Sequence, residues 1–310
     1  MDLNIRGNRD WSGIIKVCAK TGCAVKTNEN LRDYTTFKIG GTADIIVFPN
    51  SAESFGEIVK IIKEYDINYM LLGNGSNVLI CENHFDGMAV VTAQMNGVKI
   101  EGGHIGADCG VSLNKLAHLA KENSLSGLEF AYGIPGTLGG AVCMNAGAYG
   151  GQMSDIIDSS KYLNFETLET GTLNAEQHEF AYRESIYGKN RNLIMLSAVL
   201  KLNTGNIAEI ESAMNKNMAA RREKQPLEYP SAGSVFKRGT GYFASKIIED
   251  CGLKGCSAGG AQVSEKHAGF IINKGGAKFS DVENLIEHIK TAVYEKTGIK
   301  LECEIKIWKY

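Results

Sequence analysis

The chain has 310 residues, of which 44% are apolar and 22% are charged, as in ordinary soluble globular proteins. Its formal net charge of −2 provides no basic field, so the composition argues against a nucleic-acid-binding protein. No stretch has the length of an apolar transmembrane helix, and residues 1–16 lack the apolar run of a secretory signal. We therefore expect a cytoplasmic protein that does not insert into a membrane.

Eight cysteines are scattered along the chain, and none of them forms a CxxC pair. Their irregular spacing does not match a structural zinc site. In a long chain without a secretory signal, cysteines are ordinarily reduced thiols. We expect no metal site and mostly buried, reduced cysteines.

The first two thirds of the chain alternate between strand and helix patterns. Short apolar runs predict strands, and apolar stripes at helical spacing predict helices. In chain order, we predict strand 43–48, helix 53–65, strand 68–72, strand 88–91, short strands within 97–110, helix 112–123, and strands in "SSKYLNF" and "NLIMLSAVLKL".

The last third is a mixture of longer helices and short strands, and the change near residues 203–206 predicts a domain boundary. Alternation along "LECEIKIW" (301–308) would turn Leu301 and Ile307 toward a core. The predicted elements are helix 206–224, helix 242–252, strand 268–273, a helix with a capping box of Ser280 and Glu283 and a C-cap at Gly298, and strand 301–308.

A glycine-rich loop directly follows the strand predicted at 68–72. Small residues let successive backbone N–H groups converge on an anion, and serine and asparagine add side-chain donors. The sequence matches neither the dinucleotide fingerprint nor the P-loop, and a plain turn is an equally good interpretation. The residues of this loop are Gly73, Asn74, Gly75, Ser76 and Asn77.

A second glycine-rich loop covers residues 132–151. So many glycines are costly in conformational entropy, and a backbone pressed against a flat or extended ligand would explain them. The alternative is a flexible surface loop, but apolar residues alternate with the glycines, which favours a binding site. The candidate residues are Tyr132, Gly133, Pro135, Gly136, Gly139, Gly140, Asn145 and Gly147.

Four isolated residues need separate treatment. Arg183 lies in a predicted polar turn and Glu304 on the outer face of the predicted last strand, where both would ordinarily be solvated charges. Ser234 lies in "SAGSVFKR", which lacks the glycines of a nucleophile elbow, so a turn serine that caps a backbone N–H is its simplest interpretation. His104 follows two glycines, as in some covalent flavin sites, but a turn histidine is the better interpretation.

Several segments, in this order, resemble the UDP-N-acetylenolpyruvoylglucosamine reductase (MurB) family of flavoenzymes. The resemblance extends over nearly the whole chain from about residue 20. The matching segments are "TTFKIGGTADIIVFP", "LLGNGSNVLI", "GIPGTLGGAVCMNAGAYGG", "YRES", "PSAGSVFKR", "HAGFIIN" and "LECEIKI".

The resemblance implies an α+β fold, with a vanillyl-alcohol-oxidase (PCMH-type) FAD-binding domain followed by a smaller α/β substrate-binding domain. The first region would cover residues 1–205, its PCMH-type part about 30–203, and the second region 206–310, with its last strand returning toward the flavin site. Ser234 lies 51 positions after Arg183, too few for the tyrosine-bearing insertion of one subclass, so the chain resembles the shorter subclass. The C-terminal "IKIWKY" departs from the family's usual ending.

The resemblance also implies a reaction of two halves. NADPH reduces non-covalently bound FAD, and a hydride then passes from flavin N5 to C3 of the enolpyruvyl group of the UDP-sugar substrate. Arg183 would pair with the substrate carboxylate through its planar guanidinium, and a protonated Glu304 would donate to the same oxygens. Ser234 would give a proton to C2, which is reasonable because a carbanion-like centre is a strong base.

In the family, both glycine loops bind FAD, and Tyr229, Lys237 and His267 would be substrate contacts. Lys237 could also steady the alkoxide left on Ser234. The product would be UDP-N-acetylmuramate, a precursor of peptidoglycan, and we expect a monomer.

Three other functions remain to be compared with this one. The first is another flavin oxidoreductase with the same cofactor fold, and the second is a non-catalytic flavin-binding module. A serine hydrolase is the third, and the missing glycines around Ser234 argue against it.

Overall fold

A computed structural model describes residues 11–310; residues 1–10, which belong to the segment assessed for a secretory signal, lie outside the described residues. The α-helices of the described chain are α1 (Trp11–Lys20), α2 (Ala52–Glu64), α3 (Leu113–Glu122), α4 (Leu138–Cys143), α5 (Ile186–Lys189), α6 (Ile207–Lys224), α7 (Ala244–Asp250) and α8 (Phe279–Thr297).

The strands of the described chain are short, and the longest has 9 residues. They are β1 (Ala24–Asn30), β2 (Thr42–Phe48), β3 (Tyr69–Leu72), β4 (Val78–Ile80), β5 (Phe85–Val91), β6 (Val98–Glu101), β7 (His104–Asp108), β8 (Leu125–Ser126), β9 (Gly147–Ala148), β10 (Gly151–Gln152), β11 (Ile157–Asn164), β12 (Thr170–Asn174), β13 (Leu193–Lys201), β14 (Asn203–Thr204), β15 (Ser231–Ser234), β16 (Ser257–Ala258), β17 (Ala261–Val263), β18 (Phe270–Asn273) and β19 (Lys306–Trp308).

The described chain divides into two compact units, each with its own cluster of buried apolar side chains. The first unit contains the described residues up to Glu29, Ala43–Asn74 and Asp86–Met218. The second unit contains Asn30–Thr42, Gly75–Phe85 and Ala219–Tyr310.

The first unit is built on two sheets, with strand orders β1-β2-β5-β3 and β12-β11-β13-β7-β6. In the first sheet β3 runs parallel to β5, with Tyr69 opposite Met88. Helix α2 buries Phe55, Ile58 and Ile62, the apolar stripe that its sequence predicts. Because β3 ends at Leu72, the first glycine loop begins at the carboxyl end of a parallel strand.

The second unit contains an antiparallel sheet with strand order β15-β18-β17-β16. Helix α8 turns its predicted apolar face, including Val282, Leu285 and Ile289, into this unit's core. A separate parallel pair joins β19 to β4, with Lys306 opposite Val78.

The units do not follow the single boundary predicted near residues 203–206. The change of unit in this region falls instead within α6, between Met218 and Ala219. Two early segments also belong to the second unit, because Phe37 and Leu79 are buried in its core. A change of composition along the chain can indicate one boundary. It cannot show that segments from separate parts of the sequence belong to the same unit.

The C-terminal strand is shorter than predicted. Only Lys306–Trp308 form a strand, and Cys303 forms an isolated bridge with Phe236. Ile307 is 36% exposed rather than turned into a core. The alternation of 301–308 is interrupted because the chain changes its pairing partner between Cys303 and β19.

The start of α8 also differs from the predicted capping box of Ser280 and Glu283. The N-cap is Lys278, and its backbone N–H donates to Oδ2 of Asp281 at 2.9 Å. Asp281 therefore accepts the N-cap N–H, the role predicted for Glu283, and the helix begins two residues earlier than predicted. The predicted C-cap at Gly298 is confirmed, with φ of 72° in the left-handed region.

The glycine-rich stretch 132–151 contains a short helix that its glycine content does not predict. Helix α4 has the sequence LGGAVC and buries Leu138, Ala141 and Val142. Two glycines lower its intrinsic helix propensity, but the buried apolar face compensates. The stretch is therefore an ordered part of the core and not a flexible surface loop.

The described residues show neither a membrane-crossing helix nor a metal-binding cluster. Among residues 11–310 no helix combines the length and the apolar character that a membrane span needs. The same residues contain no group of three or more His, Cys, Asp or Glu side chains arranged to hold a metal ion.

A buried polar network stabilises the first unit near the turn that carries Arg183. His178 Nδ1 lies 2.7 Å from the carbonyl oxygen of Asn174 and must donate to it, because a carbonyl only accepts. The hydroxyl of Ser160 lies 2.7 Å from His178 Nε2 and 2.6 Å from the hydroxyl of Tyr187. Burial lowers the pKa of His178 and so favours its neutral form. In that form Nε2 accepts from the Ser160 hydroxyl, which in turn accepts from Tyr187.

This network predicts a loss of stability in acid. Below the unfolded pKa of about 6.5 the unfolded chain gains a proton on His178 that the folded chain resists, so the free energy of unfolding falls with pH. Urea unfolding should give a lower free energy of unfolding at about pH 5.5 than at about pH 7.5, and this difference should be smaller in His178→Gln. The exposed His104 supplies the control, and an equal pH dependence in His178→Gln and His104→Gln would contradict the assignment.

Candidate active site

The residues predicted to form the site are distributed over both units, and each group is described within its own unit. Arg183 and the loop 132–147 belong to the first unit, together with Gly73 and Asn74. The second unit contains the others, which are Gly75, Ser76, Asn77, Tyr229, Ser234, Lys237, His267 and Glu304.

Within the first unit, the two glycine-rich loops are in direct contact. The side chain of Asn74 donates to the carbonyl oxygen of Pro135 at 2.6 Å. A Cβ at Gly73 would overlap Oγ1 of Thr137, so a larger residue cannot occupy that position without movement. The structure thus brings together two loops that lie about 60 residues apart in the sequence, as a common cofactor site would require.

The loop 132–147 is anchored to the connection between β7 and α3. The N–H of Gly133 donates to the side-chain oxygen of Asn114 at 2.6 Å, and the N–H of Gly139 donates to the carbonyl of Cys109 at 2.8 Å. A Cβ at Gly139 would lie 3.0 Å from the Cβ of Cys109. Several glycines are therefore needed by the chain's own packing, and not only by a ligand as the sequence suggested.

Some residues of this loop remain open to solvent and fit a flat, extended cofactor. Pro135 and Gly140 are exposed, and Tyr132 is half-buried with its ring edge-on to His118 at 5.2 Å. A Cβ at Gly140 would meet only Oγ1 of Thr137, at 3.6 Å. Small side chains beside a half-buried aromatic ring, on an ordered backbone, suit a bound ring system.

Arg183 lies at the tip of a tight turn that packs on the same loop. Ala181 and Glu184 bond to each other through their backbones, and Arg183 has a φ of 57° in the left-handed region. Its guanidinium donates to the carbonyl of Gly147 at 3.0 Å and to that of Asn145 at 3.4 Å. The predicted turn is present, and it holds a cation against the glycine loop.

In the second unit, Gly75 lies where the backbone of another segment approaches closely. Its φ is 57°, and its carbonyl accepts the N–H of Thr36 at 3.1 Å. A Cβ at this position would overlap the carbonyl oxygen of Tyr34. Thr36 also donates through its hydroxyl to the carbonyl of Ser231 at 2.7 Å, which links this loop to β15.

Ser234 ends β15 opposite Phe270 of β18, after an irregularity in the pairing at Gly233, whose φ is 76°. The residue is half-buried. Its hydroxyl forms no hydrogen bond with the other residues that the structure describes, so the alternative of a turn serine that caps a backbone N–H is not supported.

Glu304 lies next to Ser234 through the backbone. Its N–H donates to the carbonyl of Val235 at 2.7 Å, and its own carbonyl accepts from the side chain of Asn77 at 3.2 Å. The N–H of Lys306 in turn donates to the carbonyl of Asn77 at 2.9 Å. Asn77 therefore fixes the backbone of Glu304, and the structure places a carboxyl group and a hydroxyl on adjacent segments.

The three predicted substrate contacts have different surroundings. Lys237 forms an ion pair with Glu302 at 3.5 Å. His267 accepts the N–H of Gly269 on Nδ1 at 3.1 Å, and burial lowers its pKa.

Tyr229 lines a pocket of about 560 Å³ that also contains Arg32, Lys38, Lys274 and Lys278. Lys274 lies over the Tyr229 ring, 4.9 Å from its centre. The lining of this pocket does not include the other two predicted substrate contacts, Lys237 and His267. Tyr229 therefore lines this pocket without the other two.

Sequence reasoning gave no role to three residues that shape these loops: Thr36, Asn114 and Thr137. Thr137 had a detectable signal, since a threonine before a buried apolar stripe is a typical N-cap, and its hydroxyl accepts the N–H of Gly140 at 3.5 Å. Thr36 and Asn114 act on distant segments, which a local pattern does not reveal.

Comparisons with known proteins cover both parts of the chain. The model of an FAD binding domain matches residues 43–173, and the model described as "UDP-N-acetylenolpyruvoylglucosamine reductase, C-terminal domain" matches residues 225–308. The predicted FAD cofactor and the α+β fold class with an FAD-binding domain are confirmed.

Similar proteins of full length carry the same name. The UDP-N-acetylenolpyruvoylglucosamine reductase of Caldanaerobacter subterraneus subsp. tengcongensis is 47% identical over 280 residues, which are 90% of this chain and 92% of that protein. The Geobacillus thermodenitrificans reductase is 41% identical over 302 residues, covering 97% and 98%.

A solved structure agrees with these relatives. The crystal structure of UDP-N-acetylenolpyruvylglucosamine reductase (MurB) from Thermus caldophilus is 30% identical, with a TM-score of 0.78, and the match covers 93% of this chain and 99% of that one. On the strength of both domain models and of relatives matched over more than 90% of their length, the chain belongs to the UDP-N-acetylenolpyruvoylglucosamine reductase family of FAD-dependent oxidoreductases.

Proposed function

We propose that this enzyme reduces the enolpyruvyl group of UDP-N-acetylenolpyruvoylglucosamine with NADPH and gives UDP-N-acetylmuramate for peptidoglycan synthesis. The observation that carries the proposal is the adjacency of Ser234 and Glu304, which are held on neighbouring segments by the bond from Glu304 N–H to the Val235 carbonyl at 2.7 Å. In a member of this family, a hydroxyl and a carboxyl group so placed suit protonation of an activated enol carbon.

When bound, FAD would supply the hydride that C3 of the enolpyruvyl group receives, with NADPH as its reductant. The contact of Gly73 and Asn74 with the loop at Pro135 and Thr137 supports one cofactor site on the first unit. The exposed loop residues Pro135 and Gly140 would border the cofactor.

Ser234 gives the proton. The Oγ–H bond breaks as a C–H bond forms at C2, and the alkoxide that remains is reprotonated by solvent. A hydroxyl is a weak acid, but the electron pair that develops at C2 is strongly basic, so the transfer is favourable. Among the described residues this hydroxyl has no hydrogen-bond partner, which supports a donor that is available to the substrate.

Arg183 and a protonated Glu304 stabilise the substrate carboxylate as charge develops on it. The guanidinium offers planar paired donors, and hydrogen bonds to a developing charge are worth about two to four kcal/mol each in enzymes. The left-handed turn and the carbonyls of Asn145 and Gly147 fix this guanidinium before the substrate arrives. Asn77 does the same for the backbone of Glu304.

Lys237 and His267 remain proposed substrate contacts. Lys237 would have to leave its ion pair with Glu302, at 3.5 Å, to reach either substrate or the Ser234 alkoxide. That exposed pair is weak, so the exchange costs little. A neutral His267, favoured by burial, would bind as a hydrogen-bonding group and not as a cation. We also propose that the enzyme is monomeric and cytoplasmic.

Ser234→Ala tests the proton donor. Reduction of the flavin by NADPH should stay within about twofold of wild type, whereas reoxidation by substrate should slow by about 100-fold or more. Anaerobic stopped-flow absorbance measures both halves. Ser231→Ala, in the same strand β15, is the matched control and should change neither. Equal losses in the two halves of Ser234→Ala would reject the role.

Glu304→Gln tests the carboxyl group. The variant should bind FAD in full, because the backbone contacts with Val235 and Asn77 do not use the side chain. Its reoxidation by substrate should slow by about tenfold or more. Flavin absorbance per protein and stopped-flow kinetics give the two readouts, with Glu295→Gln, at an exposed position of α8, as control. Loss of flavin would show that Glu304 serves the cofactor instead.

Gly75→Ala tests the close backbone approach in the first glycine loop. Gly75 and Gly102 share a φ of 57°, but a Cβ at Gly102 would meet no atom within 4 Å. Both variants carry the backbone strain of about 1 kcal/mol, and only Gly75→Ala adds the overlap with Tyr34. FAD affinity, measured by fluorescence titration, should fall about tenfold or more in Gly75→Ala alone. Equal losses of FAD affinity in the two variants would contradict the claim that the close approach of Tyr34 requires glycine at position 75.

A further inference from the structure

Asn145 is a buried residue of the glycine loop, and its side-chain amide is bonded at both ends. The residue is only 2% exposed. Its Nδ2 donates to the carbonyl of Ala181 at 3.1 Å, and its Oδ1 accepts the backbone N–H of Ser154 at 3.0 Å. The amide orientation follows from these partners, since one is an acceptor and the other a donor. The side-chain amide is therefore buried and already bonded within the protein, which does not support the cofactor contact predicted for this side chain.

The backbone of Asn145 makes a second connection to the same turn. Its φ of 43° lies in the left-handed region, which asparagine tolerates better than most residues. Its carbonyl accepts from the Arg183 guanidinium at 3.4 Å, beside the carbonyl of Gly147 at 3.0 Å. One residue thus holds the base of the turn through its amide and the guanidinium through its carbonyl.

The other side of the turn is also fixed. The hydroxyl of Ser185, which is fully buried, donates to the carbonyl of Cys143 at 2.9 Å. Arg183 therefore lies between two attachments to the loop, one at Ala181 and one at Ser185. Removal of the Asn145 amide would release the first attachment and leave the second in place.

We propose that Asn145 is a positioning residue for Arg183, which it holds in the orientation needed for the substrate carboxylate. The inference rests on the proposed role of Arg183 in the oxidative half-reaction. An arginine side chain has large conformational freedom, and fixing it before the reaction avoids that cost in the transition state. A displacement of about 1 Å at a catalytic group can cost about 100-fold in rate.

Asn145→Gly is the informative variant, because glycine accepts the left-handed backbone and removes only the amide. In the holoenzyme, reoxidation of the reduced flavin by the enolpyruvyl substrate should slow by about 10-fold to 100-fold. Flavin content and reduction by NADPH should stay within about twofold. Asn28→Gly is the matched control, since Asn28 is an exposed asparagine of β1 with a φ of 53°.

A double-mutant cycle with Arg183→Gln separates positioning from general stability. If Asn145 acts through Arg183, Asn145→Gly should add less than about twofold to the loss already present in Arg183→Gln. Full additivity of the two losses would overturn the proposal. If Asn145→Gly does not fold, Asn145→Asp keeps the acceptor for Ser154 and replaces only the donor to Ala181, and it should show the same pattern.

Hydrogen exchange supplies a readout that needs no turnover. Backbone amides of residues 181–185 should exchange at least about fivefold faster in Asn145→Gly than in Asn28→Gly. Unchanged exchange there would overturn the positioning role. If Arg183→Gln reoxidises as fast as wild type, the proposed role of Arg183 itself fails. If Arg183→Gln is slow while Asn145→Gly matches Asn28→Gly, only the inference about Asn145 fails.

Discussion

The close contact of Gly73 with Thr137 is the constraint on which the candidate cofactor site of the first unit depends. Gly73 follows a parallel strand, and a Cβ at this position would overlap Oγ1 of Thr137, so a larger residue would require that side chain to move. Asn74 then bonds to Pro135 at 2.6 Å and fixes the register of the contact. The helix α4 continues from Thr137, so the same contact sets the direction of the loop that carries Asn145 and Gly147.

The remaining parts of the site are rigid for similar reasons. Arg183 is held by carbonyl oxygens, and the backbone of Glu304 is held by Asn77 and Val235. The carbonyls hold the Arg183 side chain itself, whereas the contacts at Glu304 hold the backbone from which its side chain extends. Such preorganisation lowers the cost of reaching the transition state, since little reorganises when charge develops.

Much of the fold could be predicted from local patterns, but the pairing of distant segments could not. Helices α2 and α3 follow apolar stripes, and β2 follows a short apolar run. Strand β1 was missed because its sequence, AVKTNEN, is polar, and it forms by pairing in a sheet. The shortened last strand has the same origin, since its partners are chosen by tertiary contacts.

For the candidate site, sequence patterns selected the segments but could not show how some of their residues are packed. The glycines at 73 and 139 are explained by contacts within the chain, which composition alone cannot distinguish from contacts with a ligand. Asn145 looked like a ligand donor because its neighbours are small, yet its amide is buried and paired. Burial and bonding partners depend on long-range packing, which is why a motif could not supply them.

The measurement that tests the central claim most directly is the reoxidation of the NADPH-reduced enzyme in the absence of oxygen. Addition of UDP-N-acetylenolpyruvoylglucosamine should restore the oxidised flavin spectrum and produce one UDP-N-acetylmuramate for each flavin. A flavin that NADPH reduces but this substrate leaves reduced would contradict the proposed function and favour another flavin oxidoreductase.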